Sequence, residues 1–412
     1  MNEQRRLSRW LALLLALVLV AAACGSDDDE GDEDSSASAS ASASEASDDE
    51  GSASASEPAE EGSEEGAGEE DSGELTPVKL QLQWVPQSQF AGYFAARDLG
   101  FYEEAGLDVE IIDGGVDIVP ATVLDSGASD FAISWVPRGL VPREEGLNIT
   151  NIAQVFQRSG TLQVSFADSG INSVADLEGT NVGNWGFGNE FEMLAGLRAS
   201  GLDPDADVTL VQQDFSMAAL LNGDVDAAQA MIYNEYALVL ETVNPDTGEL
   251  FQPEDLNVID WNDEGTAMLQ DAIWADADRL DDDADYRATA VAFVEASLRG
   301  WIHCRDNQQE CVDIIVAAEP PFGGPAHQAW MMNEINALVW PSPLGVGTMD
   351  PALWDQTVKV ATEEGILAAE PDGDSFRTDI VAEALANLEA AGLDTVGDGF
   401  AKIEVEVTEG GN

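Results

Sequence analysis

Two histidines, three cysteines and sixteen Lys+Arg are spread over 412 residues, and each scarcity closes off a class of chemistry. With only His303, His327 and two cysteines beyond residue 24, a metal centre lacks the three or more side chains that would have to converge on the ion. The same two histidines read as parts of structural segments, so no Ser–His–Asp arrangement can be argued. The few bases face 80 Asp+Glu, a formal net charge of −64. Nucleic acid is therefore not an expected partner, because phosphate binding needs clustered Lys/Arg, and a basic face for anionic lipid is missing too. No P-loop and no internal repeat of 20–50 residues occur. What the chain does have is a 44% apolar fraction, enough to build a core.

The first residues read as an address. Arg5, Arg6 and Arg9 precede an uncharged run, Trp10 to Ala23, too short for a comfortable membrane span. The run ends in Val20-Ala-Ala-Ala-Cys24-Gly25, which resembles a bacterial lipobox, with Ala21 in place of the more usual Leu. Residues 1–23 are thus expected to be a lipoprotein signal peptide and Cys24 the lipidated first residue of the mature, extracytoplasmic protein. Gly25 to Glu74 holds 20 acids and no base, amid Ser, Ala and Gly. Such a stretch cannot bury apolar surface, so 24–75 is expected to be a disordered tether of roughly 40 Å reach. Fifty-nine acids then remain in the body against 13 Lys+Arg, which predicts a surface reliant on salt to screen its self-repulsion.

From Val78 onward strands and helices alternate. Strands are expected at Val78–Trp84, Leu107–Ile112, Asp130–Trp135, Thr161–Ala167, Asn181–Asn184, Val208–Gln212, Ala227–Ile232 and Ala267–Ala275. Helices fall between them, and the chain is mostly helical after Tyr286. Ser173 and Asp176 are spaced as a capping box. The alternation predicts an α/β fold with parallel sheets and right-handed crossovers.

Leu80-Gln-Leu-Gln-Trp-Val-Pro-Gln-Ser-Gln-Phe-Ala-Gly-Tyr93, Gly127-Ala-Ser-Asp-Phe-Ala-Ile133, Ser173-Val-Ala-Asp-Leu-Glu-Gly-Thr-Asn-Val182 and Leu221-Asn-Gly-Asp-Val-Asp-Ala227 resemble, in this order and spacing, the SsuA/THI5-like (NMT1-type) solute-binding proteins. The resemblance implies a periplasmic-binding-protein type II fold, with two lobes, a ligand cleft and a hinge. Lobe 1 would be discontinuous, 76–165 plus 270–412, and lobe 2 would be 166–269, with hinge crossings near Gln163 and Ile273. It further implies a monomer that delivers its solute to an ABC permease and ATPase carried by other chains. No cofactor is expected.

Open α/β sheets place ligands at the C-terminal ends of their strands. That rule selects Trp84, Gln87, Ser88, Gln89 and Tyr93 after the first strand, Gly114 and Gly115 after the second, and Trp135 after the third. In the second lobe it selects Trp185, Gly186, Gly188 and Asn189, then Tyr233, Asn234 and Glu235. For each, core packing or a plain turn is the competing reading. Arg158 is expected to pair with a nearby acid, less readily with a ligand anion. Trp, Tyr, amides and one Glu suit a flat heteroaromatic held between rings. Within the resembling family a thiamine pyrimidine precursor or riboflavin fits best; taurine or an alkanesulfonate, or an enzyme making the thiamine pyrimidine, are the alternatives. Cys304 and Cys311 would stand about 10 Å apart on one straight helix, too far to join. If Arg305–Glu310 is a loop between two helices, a disulfide becomes feasible and the exported compartment favours it, with two free thiols as the alternative.

Overall fold

The computed structural model describes residues 74–115, 117–186 and 188–412. The expected leader 1–23, Cys24 and the acidic stretch to residue 73 lie outside the described residues.

Strand β1 (Thr76–Gln81) pairs in parallel with β2 (Leu107–Ile112), Thr76 opposite Leu107 and Leu80 opposite Ile111. Helix α1 (Ala91–Asp98) crosses between them, and α2 (Pro120–Asp125) leads into β3 (Phe131–Trp135), parallel to β1. Trp135 is the N-cap of α3 (Val136–Glu144), which starts directly where β3 ends. All six residues of β4 (Ile149–Gln154) are buried, so it carries no alternation for a sequence reading to find. These strands and β10 (Asp271–Asp276) form one sheet in the order β2-β1-β3-β10-β4.

The second lobe contains β5 (Thr161–Phe166), β6 (Asn181–Asn184), α4 (Phe191–Ala199), β7 (Thr209–Gln212), β8 (Ala228–Met231), α5 (Glu235–Leu240) and β9 (Leu256–Asp260). Its strands run β8-β5-β9, with β6-β7 joined to β8 through a bridge between Val182 and Ala227.

Three expectations change here. The sheets are mixed: β10 is antiparallel to β3 and β4, and β5 is antiparallel to β8 and β9. Residues 161–165, expected in lobe 1, pair in the second lobe's sheet. Gln163 and Ile273 accordingly sit inside strands, opposite Gln229 and Ile133, and the segments that join the two sheets are 155–160, between β4 and β5, and 261–270, between β9 and β10. At Ser173 the hydroxyl donates to the Asp176 carboxylate (2.8 Å), and no side chain caps the short 3₁₀ turn Val174–Leu177.

The C-terminal part is α6 (Ala284–Asp306), α7 (Gln308–Ala317), α8 (Pro325–Val339), α9 (Pro351–Glu363) and α10 (Asp379–Ala390). Asp283 caps α6 by accepting from the backbone N–H of Asp285 and Tyr286. Its buried face (Tyr286, Phe293, Val294, Ser297, Trp301) covers the first sheet, with Phe131 stacked on Phe293 at 4.4 Å. Helices α1 and α6 meet at glycines: a Cβ on Gly300 would lie 2.0 Å from the Gly92 carbonyl oxygen, so this contact admits no larger residue. Between α6 and α7 only Asn307 leaves helical geometry, a tighter break than a loop over 305–310. It brings Cys304 and Cys311 to a Cα separation of 5.5 Å, and their sulfurs are joined.

Candidate functional site

A cleft of about 550 Å³ opens between the two lobes. Both of its walls are built from chain segments that follow strands. From the first lobe come Gln83, Trp84, Gln87, Gln89, Gly115, Trp135 and Arg138; from the second, Trp185, Asn189, Phe215, Tyr233 and Glu235. Eleven of the fifteen residues selected from the sequence line it: Trp84, Gln87, Gln89, Gly115, Trp135, Trp185, Gly188, Asn189, Tyr233, Asn234 and Glu235; Gly186 is not among them.

Tyr93 does not. Its ring is buried in the core of the first lobe, edge-on to Trp301 at 5.7 Å, and its hydroxyl is buried without a hydrogen-bond partner among the described residues. Burial, and then the charge of Asp271, push its hydroxyl well above the ordinary phenol range. Ser88 is likewise turned away, its hydroxyl donating to the Gln328 carbonyl (2.9 Å). Gly114 supports the wall from behind: a Cβ there would lie 2.4 Å from the backbone at Leu82 and Gln83. Arg158 pairs with no acid among the described residues. Its guanidinium donates to the Pro341 carbonyl at 3.0 Å and lies close to the carbonyls of Leu338 and Trp340 at the end of α8.

The polar part of the wall is organised by a residue that does not line it. Asp271, at the start of β10, is fully buried behind the glutamines. Its Oδ1 accepts from Gln83 Nε2 (2.5 Å) and its Oδ2 from Gln89 Nε2 (2.9 Å). Gln83 Oε1 in turn accepts from the Trp135 backbone N–H (3.2 Å), and Gln89 Oε1 from Gln87 Nε2 (2.7 Å). An ionised carboxylate only accepts, so it fixes the direction of each amide along the chain. The Gln87 side-chain oxygen, Oε1, accepts no hydrogen bond among the described residues. Burial raises the Asp271 pKa to about 7, opposed by the amides and by the nearby Arg138 charge.

On the opposite wall Glu235 opens α5. Its Oε2 accepts from the Met231 N–H (2.9 Å) and its Oε1 from Asn234 Nδ2 (3.1 Å), while burial raises its pKa to about 7. The aromatic groups complete the site. Trp84 and Phe215 face each other across the cleft at 4.9 Å, and Phe215 lies nearly parallel to Trp185 at 6.1 Å and 21°. Trp185 is held by its indole N–H on the Asp214 carbonyl (3.2 Å) and by the Gln229 amide at its backbone. The Trp135 indole N–H is buried beside the Asp271 carboxylate and makes no hydrogen bond among the described residues. Such a site can enclose a flat ring between indoles and offer amide donors and acceptors at its edge.

Gln83, Arg138, Phe215 and Asp271 were not singled out from the sequence. The rule of strand C-terminal ends, applied to β7, would have reached Phe215.

The sequence model described as NMT1/THI5 like matches residues 87–311, more than half of the 412-residue chain. The formylaminopyrimidine-binding protein of Halalkalibacterium halodurans is 25% identical over 289 residues, 69% of this chain and 84% of that protein. The riboflavin-binding protein RibY of Chloroflexus aurantiacus is 27% identical over 310 residues, 72% of this chain and 84% of its own. Among solved structures, the ligand-binding component of an ABC-type import system from Staphylococcus aureus superposes with a TM-score of 0.56 at 14% identity, covering 75% of this chain and 99% of that one. The alkanesulfonate-binding protein SsuA of Xanthomonas axonopodis gives 0.50 at 14% identity, over 76% and 99%. At such identities these structures speak to the fold alone, that of the two-lobed solute-binding proteins.

Proposed function

This chain belongs to the NMT1/THI5-like family, and from that premise we propose that it is an extracytoplasmic solute-binding lipoprotein of an ABC importer. It captures a small heteroaromatic nutrient, a thiamine pyrimidine precursor or riboflavin, and hands it to a membrane permease. The observation that carries this reading is the aromatic clamp: Trp84 and Trp135 on one lobe, Trp185 and Phe215 on the other, around a cleft sized for one small molecule. Closure turns about the crossings at 155–160 and 261–270, and the ligand favours the closed state because both walls touch it. Lipidation at Cys24 would hold the protein at the membrane, and the tether would give it reach.

Binding is preferred to catalysis because the two relatives that match 69% and 72% of the chain are named as binding proteins. Those named 4-amino-5-hydroxymethyl-2-methylpyrimidine phosphate synthase match about a third, 32% for the one from Legionella pneumophila. A sulfonate is disfavoured because Arg138 is the single base lining the cleft among the described residues. Thermal-shift screening of the full chain against riboflavin, aminopyrimidines, taurine and alkanesulfonates tests the reading. A rise in melting temperature with a ring compound supports it; a rise with sulfonates alone overturns it.

A further inference from the structure

Bases are so scarce here that each can be accounted for. Three of the sixteen Lys+Arg lie within the first nine residues, which leaves thirteen. Eleven of these form ion pairs with carboxylates, among them Arg143 with Asp372, Arg287 with Asp379 and Lys402 with Glu334. The twelfth, Arg158, lies on the carbonyls at the end of α8. The thirteenth, Arg138, makes neither an ion pair nor a hydrogen bond among the described residues.

Its position makes that isolation informative. Arg138 is the third residue of α3, three beyond Trp135, and lines the cleft. It is partly buried, and burial lowers its pKa, with Asp271 acting in the opposite direction. Asp271 forms no ion pair with it among the described residues; its two oxygens accept from Gln83 and Gln89 instead. Among the described residues the Arg138 guanidinium thus has no carboxylate partner, although the chain carries 80 acids. A guanidinium stays charged and carries five donors in a flat fork, so leaving it partly desolvated and unpaired is costly until an acceptor arrives. The other charged groups on the cleft wall, Asp117 and Glu235, are acids, so nothing else there can donate a charge-assisted hydrogen bond.

We propose that Arg138 is the ligand-reading donor of the cleft, and that the solute it selects presents an oxygen acceptor, a carbonyl or an anionic oxygen, toward α3. The proposal rests on the solute-binding reading above and deepens it. The ring is held by the indoles, and the acceptor edge against Arg138 fixes which way round it lies. An oxygen-free ring of the same size leaves the guanidinium unsatisfied and binds more weakly.

The test uses the full chain, wild type, R138Q and R138K, titrated by calorimetry with four probes. Two are pyrimidines, 4-amino-5-formylaminomethyl-2-methylpyrimidine and the oxygen-free 4-amino-2,5-dimethylpyrimidine. The others, riboflavin and riboflavin 5′-phosphate, separate a ring carbonyl from an anionic oxygen as the group read. The wild type is expected to prefer the formylated over the oxygen-free pyrimidine by roughly tenfold or more, as for a lost charge-assisted hydrogen bond. R138Q should collapse that preference through the formylated probe alone, and R138K, which keeps the charge without the fork, should fall between. Riboflavin losing affinity in R138Q as much as its phosphate does identifies a carbonyl; a loss confined to the phosphate identifies an anion. If ring probes bind the wild type and R138Q leaves the formylated-to-oxygen-free ratio unchanged, the assignment of Arg138 is wrong while the solute-binding reading stands. If no ring probe binds the wild type, that reading fails and takes this one with it. Melting curves of each variant separate a lost donor from a lost fold.

Discussion

Trp84 and Phe215, 131 residues apart in sequence and on different lobes, bring their ring centroids to 4.9 Å at 51° across the cleft. Phe215 is 42% exposed, so its ring contributes little to either core. A ring placed there serves to close on something. Phe215→Ala is therefore expected to leave the melting temperature of the unliganded protein nearly unchanged and to weaken binding of a ring ligand by roughly three- to tenfold, the worth of one aromatic pair. Trp84→Ala should weaken it more, because Trp84 also packs on the first lobe's core. Tryptophan fluorescence titration measures both; equal affinities in wild type and Phe215→Ala would remove the ring from the site.

Asp271 offers a different kind of test, because it does not line the cleft and acts on a ligand through Gln83, Gln89 and its charge on Arg138. Asp271→Ala leaves two buried amide donors unpaired, a cost of about 1–3 kcal/mol each. Asp271→Asn keeps the shape but can accept along one oxygen only, so one glutamine must turn over. Both variants should lose ligand affinity without removing any group from the cleft wall, and Asp271→Asn should lose less stability. Urea unfolding read beside ligand titration checks this; affinity unaltered in a folded Asp271→Asn would show that amide direction does not matter.

These two positions also mark where sequence reading succeeds and stops. Trp84, Trp135 and Trp185 were legible because each follows a strand whose C-terminal end opens on the cleft. Asp271 was not, because β10 runs antiparallel to β3 and so brings its N-terminal end to the same place. Tyr93 was misjudged by helical spacing from Gln89. A 3₁₀ turn at Ser88–Phe90 breaks the 3.6-residue period, and Tyr93 rotates toward Trp301. Strand β7 shows three exposed residues in four, too weak a pattern to have drawn attention to Phe215 beyond it. The α/β class and most strand positions followed from alternation and turn residues. The mixed pairing did not, since antiparallel insertion is a property of the closed topology rather than of any one segment.

The Cys304–Cys311 bond closes a short loop, with a sequence separation of 7, between α6 and α7. Loop-closure entropy for such a ring is worth about 2–3 kcal/mol. Cys304→Ala combined with Cys311→Ala should lower the unfolding free energy by that amount in denaturant titrations. Both sulfurs are fully buried, so the native protein should resist dithiothreitol until it is partly unfolded. Rapid labelling of two thiols in the untreated native protein would mean the bond is not formed.

Glu192, on α4, ties together the two chain crossings between the lobes. Its Oε2 accepts from the Ser159 hydroxyl (2.8 Å) on one crossing and its Oε1 from the Met268 N–H (2.7 Å) on the other. Burial raises its pKa from the ordinary 4.5 to about 8, against the pull of those two hydrogen bonds. A carboxyl with a raised folded pKa holds a proton that the unfolded chain has already released. Stability is then greatest below pH 4.5 and falls as pH rises toward about 8, by about 1.4 kcal/mol per pH unit for this one group. Asp271 and Glu235, each raised to about 7, add slopes of the same sign that end lower. The informative quantity is thus the difference between wild type and Glu192→Gln, in which those two contributions cancel. Glu192→Gln cannot ionise, so its melting temperature should exceed that of the wild type at pH 9, and the gap should close or reverse at pH 5, where the wild-type carboxyl is protonated in the native state. Parallel melting profiles for the two proteins across that range would show that Glu192 is not the group that loosens the crossings as pH rises.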